Sequence, residues 1–217
     1  MLFRSRVPIA SAEGFVRQVV GWREYVWCLY WWFGADYVSQ NVLGADRPLP
    51  PAFTGTPTKM RCVASTLQTL HDHSWAHHIQ RLMVLGNLAL LAGVDPWAMT
   101  KWMWAGFVDG AEWVMLPNVV GMALHADGGR MATKPYAAGG AYIDRMSDHC
   151  GRCPYDPKVR VGHDACPFTA GYWAFLERNR DRFRGNHRMA QPLAGLTRLK
   201  DLEAVVAQER ARGDAAP

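Results

Sequence analysis

The sequence has no apolar run long enough to cross a bilayer; the longest, Leu82 to Val94, is interrupted by Asn87 and reads as a buried helix. It also has no secretory leader, because its basic amino terminus is followed by neither an apolar stretch nor a small-residue cleavage site. Cysteine is scarce and odd in number, five in 217 residues, which without a leader argues against a disulfide framework and for a reducing compartment. Period-2 alternation is almost absent, and there is no internal repeat or low-complexity tract. These absences point to a soluble, cytoplasmic, all-α protein, expected as a monomer with no membrane partner.

What is present is apolar and aromatic. The length suits one sizeable core or two subdomains, and ten tryptophans are a heavy load for it. The net charge of +5 leans towards an anionic partner. Ser11 is placed to cap a helix through about Trp32, with Phe15, Val19, Trp22 and Val26 at helical spacing. The loop GADRPLPPAFTGTPTK (residues 44–59) carries four prolines, which exclude regular structure. A second helix is expected from about Cys62 to Leu91, stopping at Gly93, and a third from Asp95-Pro96 to about Phe107. Residues 117–140, rich in Gly and Pro, read as a loop over the site. A further helix is expected from about Ala170 to Asp181, and a charged tail that is helical at most frays at RGDAAP.

Two constellations carry chemistry. In HCGRCPYDPKVRVGHDACPF (residues 149–168), Cys150, Cys153 and Cys166 follow the spacing C-x2-C-x12-C. Core cysteines rarely cluster among Gly, Arg, Asp and Lys, so zinc or an iron–sulfur cluster is expected, and the spacing alone does not separate the two. The fourth ligand is Cys28 or Cys62. Cys28 sits among Trp27, Tyr30 and Trp31 and looks like packing, whereas Cys62 opens a helix just after an irregular loop, so Cys62 is expected. The second constellation is AHHIQRLM (residues 76–83), read inside the second helix, where Arg81 shares a side with both His77 and His78. A lone histidine there would be a satisfied core residue, but an arginine that stays charged needs a partner, and Asp109 is the plausible counter-ion. A structural salt bridge is the competing explanation.

These residues, with EGFVRQVVGWREYVW, NVLGADRPLP, FVDGAEWVMLPNVVGMALHADGG and KPYAAGGAYIDRMSDHC, resemble the bacterial photolyases and cryptochromes that carry an iron–sulfur cluster, whose characterised DNA-repair members act on (6-4) photoproducts. The resemblance covers residues 7 to about 192. It implies a helical flavin-binding domain holding FAD, with Cys62, Cys150, Cys153 and Cys166 binding a [4Fe-4S] cluster. It implies that His78 stands beside flavin and lesion with His77 as its neighbour, and that Arg81 and Asp109 pack along the flavin. It places Trp22 at the lesion pocket and Trp102 on an electron path to the flavin. The implied partner is UV-damaged DNA.

Two departures stand out. Thr54 occupies a position where the family usually has tryptophan. The family's α/β antenna domain and the first helices of its flavin domain have no counterpart, so the whole of 1–217 is expected to be a partial C-terminal domain, truncated at its N-terminus. Leu2 to Ser5 are read as adapter-encoded and foreign to the family. Two competing readings are a cryptochrome-like blue-light photoreceptor and a flavin-free iron–sulfur module that binds nucleic acid.

Overall fold

The structure, a computed structural model, describes residues 7–213. The readings of Leu2 to Ser5 and of the chain end beyond Gly213 lie outside these residues. Among the described residues there is no strand, only isolated bridges joining Arg47 to Val94 and Asp156 to Ala165. The all-α expectation holds.

Helix α1, residues 9–33, runs through Ile9–Val16, a π-helical segment Arg17–Trp22 and Arg23–Phe33. Pro8, rather than Ser11, precedes its first turn, and the Pro8 carbonyl accepts from the amides of Ser11 and Ala12 at 3.0 and 3.1 Å. The apolar stripe read along it is mostly uncovered. Phe15, Val19 and Trp22 are 69%, 48% and 42% exposed, and Val26 is the buried residue of Arg23–Phe33. Helical spacing shows which side chains share a face, not what covers that face.

The helix expected from Cys62 to Leu91 is two helices. Helix α2, Arg61–His73, ends where Ser74 turns left-handed, with φ 50°. Helix α3, residues 78–92, starts afresh after His77 and includes a π-helical segment Arg81–Gly86. The joint contains no glycine or proline, so nothing in the sequence marked it. From Leu82 to Leu91 every residue of α3 is buried. Buried Asn87 is satisfied there, its amide donating to Ala138 O at 2.8 Å and its carbonyl accepting from Ala138 N at 3.1 Å. At Gly86 a Cβ would stand 3.0 Å from that of Ala123, so the glycine lets α3 approach α5 closely.

Helix α4, Pro96–Gly106, begins as expected: the Asp95 carboxylate accepts from Ala98 N at 2.7 Å and proline occupies the first turn. The stretch read as a loop from 117 begins instead as helix. Helix α5, residues 112–123, joins Glu112–Leu116 to the π-helical Pro117–Ala123, and the loop starts only after it. Proline is tolerated at 117 because its ring falls where the hydrogen-bonding register shifts. The proline-rich 44–59 loop contains one 3-10 turn, Pro51–Thr54.

Helix α6 is Gly140–Met146, and the turn Cys150–Arg152 follows. Helix α7 is Pro167–Arg178, three residues earlier at each end than expected, because Cys166-Pro167 supplies its start and Asn179 leaves helical geometry. Short helices α8, Arg180–Phe183, and α9, Ala190–Leu196, lead to α10, Leu202–Arg212. The tail is therefore a packed helix: α10 lies on α7, and Val205 is fully buried. Helix α3 is central, with α7 against it and α10 layered on α7, while α5 packs against it elsewhere and α4 lies on α5.

Candidate functional site

The break between α2 and α3 makes the first site. His77 is not inside a helix; it caps one. Its Nδ1 accepts from Ile79 N at 3.2 Å, and the Gln80 side chain accepts from His77 N at 3.1 Å, a reciprocal capping box. That bond requires an unprotonated Nδ1, so the neutral ring carries its proton on Nε2. His78 opens the first turn, and Arg81 lies one turn on.

Arg81 is the hub of this face. Its Nε donates to Ala76 O at 2.7 Å, and its two terminal nitrogens donate to the Asp109 carboxylate at 2.8 and 3.0 Å. The guanidinium lies 4.2 Å from the centroid of the Phe107 ring. Asp109 falls beyond the end of α4 in the turn towards α5, held to the α2–α3 joint by the Val108 N to Ser74 O bond of 2.8 Å. The pair is not buried as a unit: the Arg81 side chain is 16% exposed but that of Asp109 is 51%. It forms a charged lip.

Behind this lip His78, Arg81, Met103, Asn118 and Met122 line a cavity of about 100 Å³. Burial, and then the charge of Arg81, hold the His78 imidazole below its ordinary pKa, so it is neutral at neutral pH. Trp102 stacks on Phe53 at 4.7 Å, donates its Nε1 hydrogen to Phe53 O at 2.8 Å, and meets Phe107 edge-on at 6.5 Å. Aromatic contact thus runs from the ring beneath Arg81 to the Pro51–Thr54 turn. There the Thr54 hydroxyl bonds Pro51 O at 3.0 Å. Trp22 is elsewhere, packed edge-on against Tyr25 at 5.6 Å, and does not line the His78 cavity.

The second site gathers four cysteines. Cys62, Cys150, Cys153 and Cys166 line one cavity walled by Met60, Ile143, Tyr155 and Phe168, while Cys28 is exposed on α1. Cys62 lies in the first turn of α2, and Cys166 caps α7. Cys153 Sγ lies 3.8 Å from Lys59 O, tying the cysteine turn to the segment that leads into Cys62. The cysteine loop and the end of the proline-rich loop thus meet at one place.

Burial, reinforced by repulsion from Cys166 and Cys153, pushes the Cys62 thiol up to about 12. Burial and neighbouring Asp144 push Cys150 up to about 11. Burial also raises Cys166, although the amides of Phe168 and Thr169 and the Thr169 hydroxyl oppose the shift. Four ionised sulfurs need a cation among them. Yet no group of three or more His, Cys, Asp or Glu side chains among the described residues is placed to hold a metal ion.

Sequence reasoning missed four residues that shape these sites. Phe53 and Phe107 were indistinguishable from core. Gly140 was signalled only by the Gly139-Gly140 pair: a Cβ there would stand 2.7 Å from Cys166 Sγ and 2.9 Å from Thr169 Oγ1. Thr169 completes the clasp, its oxygen accepting from Gly140 N at 3.0 Å and its hydroxyl donating to Pro157 O at 2.7 Å.

Over 194 residues, 89% of its length, the chain is 52% identical to a (6-4) photolyase of Agrobacterium fabrum. The chain belongs to the photolyase/cryptochrome family. It spans 38% of that photolyase's length. An uncharacterized protein of Acanthamoeba polyphaga mimivirus is 31% identical over 103 residues, which are 48% of this chain and 76% of that one. No family model matches. No helix among the described residues is long and apolar enough to cross a membrane.

Proposed function

We propose that the chain is the C-terminal flavin-binding part of a light-dependent DNA photolyase that reverses (6-4) pyrimidine photoproducts, and that it acts as a monomer in the cytoplasm. The observation that carries this reading is the Arg81–Asp109 pair, flattened on Phe107 beside a neutral His78. A planar, anchored guanidinium next to an apolar cavity suits the edge of an anionic aromatic ring. FAD in its reduced form, when bound, supplies an electron to the lesion after absorbing light.

The chain's own residues have distinct tasks. Asp109 and Ala76 O fix the Arg81 guanidinium, so that it meets the flavin ring without reorganising. His78, neutral at the mouth, gives or takes a proton on the lesion. His77 acts through it, as the cap that fixes the first turn of α3. Trp102 relays electrons towards the flavin from the Pro51–Thr54 turn, where Thr54 offers no ring to extend the relay. A DNA lesion reaches this face only if flipped out of the duplex, and the +5 charge favours the phosphate backbone. The 100 Å³ cavity accommodates only part of a flavin, so this chain alone grips FAD weakly.

Cys62, Cys150, Cys153 and Cys166 would hold a [4Fe-4S] cluster. Four soft donors lining one apolar-walled cavity suit a cluster with four separate corners. Its contribution would be structural, since its four ligands would clasp the starts of α2 and α7 to the turn between α6 and α7.

The test is a chimera in which this chain replaces the matching part of the Agrobacterium fabrum photolyase. Blue-light repair of a (6-4) lesion in duplex DNA is expected. A chimera that binds flavin and damaged DNA but leaves the lesion intact under light would favour the photoreceptor reading. A chimera with cluster absorption but no flavin bands would favour the flavin-free module.

A further inference from the structure

At the end of α3 remote from His78, two clefts adjoin. One of about 460 Å³ lies between α3, α7 and α10. The other, of about 210 Å³, lies behind the loop at 41–47. Arg47, Ala92 and Arg178 line both. The larger cleft has an apolar floor, with Leu88, Leu91 and Val206, and a charged rim. Thirteen residues of α3 separate Leu91 from His78, so the two sites stand about 20 Å apart along the helix.

The rim has more cations than its carboxylates match. Glu209 is paired with Arg212 at 2.6 Å, and Glu177 with Arg180 at 2.5 Å. Arg178 donates to Leu91 O at 3.1 Å and lies 5.8 Å from the centroid of Phe175, while Glu177 and Glu209 line the same cleft. A guanidinium offers five donors, so most of its capacity faces the cleft unspent. Burial first, and then the charge of Arg47, lower its pKa from the ordinary guanidinium value. An anion in the cleft would relieve both. Paired guanidinium donors match phosphate oxygens better than any other common anion, and a cleft of this size is in the range of small-molecule sites.

We propose that this double cleft binds a phosphate-bearing organic molecule of mononucleotide size, its phosphate held by Arg178 and Arg210 and its flat body laid on Leu88, Leu91 and Val206. The site is separate from the flavin face and does not depend on it. Its phosphate comes either from a free nucleotide or from the backbone of nucleic acid, and the experiment distinguishes them.

Titration calorimetry on the full 217-residue chain, with adenosine monophosphate as the probe, should give saturable binding, and inorganic phosphate should compete weakly. Arg178→Gln should weaken the monophosphate about tenfold or more, as loss of a charge-assisted bond does. Arg210→Gln, at an exposed position, should weaken it too and serves if Arg178→Gln does not fold. A short undamaged duplex that displaces the monophosphate identifies the nucleic-acid backbone as the source; retention of the monophosphate beside the duplex identifies the free nucleotide. The proposal is overturned if the monophosphate, phosphate and the duplex all fail to bind saturably, or if both variants bind the monophosphate as well as the parent chain.

Discussion

Gly140 and Cys166 are so close that a Cβ on the glycine would stand 2.7 Å from the cysteine sulfur. The contact joins the first residue of α6 to the cap of α7, and the same Cβ would also stand 2.9 Å from Thr169 Oγ1 and 3.1 Å from the Cα of Pro157. Gly140→Ala should therefore displace Cys166 and cost about 1–3 kcal/mol, as overpacking does. Iron per chain and the thermal midpoint, measured on protein purified without oxygen, should both fall. Full iron content at an unchanged midpoint would mean that the sulfur is free to move.

Cys62→Ser and Cys28→Ser make a paired comparison. Cys62 lines the shared cavity and Cys28 does not. Iron content should collapse in the first variant and stay at the parental level in the second. The reverse pattern would show that the wrong thiol has been taken as the fourth ligand.

The cysteine site was legible because its signal is local: a C-x2-C turn and a third thiol among prolines constrain the backbone wherever the rest of the chain goes. Arg81 and Asp109 were legible for a similar reason, since a charged arginine in an apolar stretch must find a partner. The joint at Ser74 was not. Histidine, serine and tryptophan all enter helices, and Ser74 adopts φ 50° because the α2–α3 crossing and the Val108 N to Ser74 O bond require it, which is a tertiary cause. The stripe of Phe15, Val19 and Trp22 misled in the opposite way, being helical in period yet exposed. Phe107 joins Trp102 to Arg81 and Phe53 joins it to the Pro51–Thr54 turn, but an aromatic beside an irregular loop looks the same whether it packs or relays.

His77 offers a test of that joint. Its Nδ1 bond to Ile79 N is an N-cap, so His77→Ala should cost about 0.5–2 kcal/mol in urea unfolding, while His77→Asn, a good capping residue, should recover most of the loss. Equal losses in both variants would indicate that the imidazole has a role beyond the cap.

Stability should also depend on pH through two histidines. Burial is the first cause that holds both His78 and His125 below the ordinary value of 6.5. The unfolded chain takes up protons near that value, whereas the folded chain refuses them until lower pH. Stability is therefore complete above 6.5, falls as pH drops below it, and levels off once the folded imidazoles protonate. His78→Gln should make the acid-side slope of the thermal midpoint shallower, leaving the part due to His125. A slope identical to the parent's would contradict the desolvation of His78.

The central claim is that His78 moves a proton during light-driven repair, and the most direct measurement is repair by the chimera carrying His78→Ala. The account predicts flavin content and affinity for (6-4)-damaged duplex close to those of the unsubstituted chimera, with blue-light repair abolished. Repair at the unsubstituted rate would contradict it.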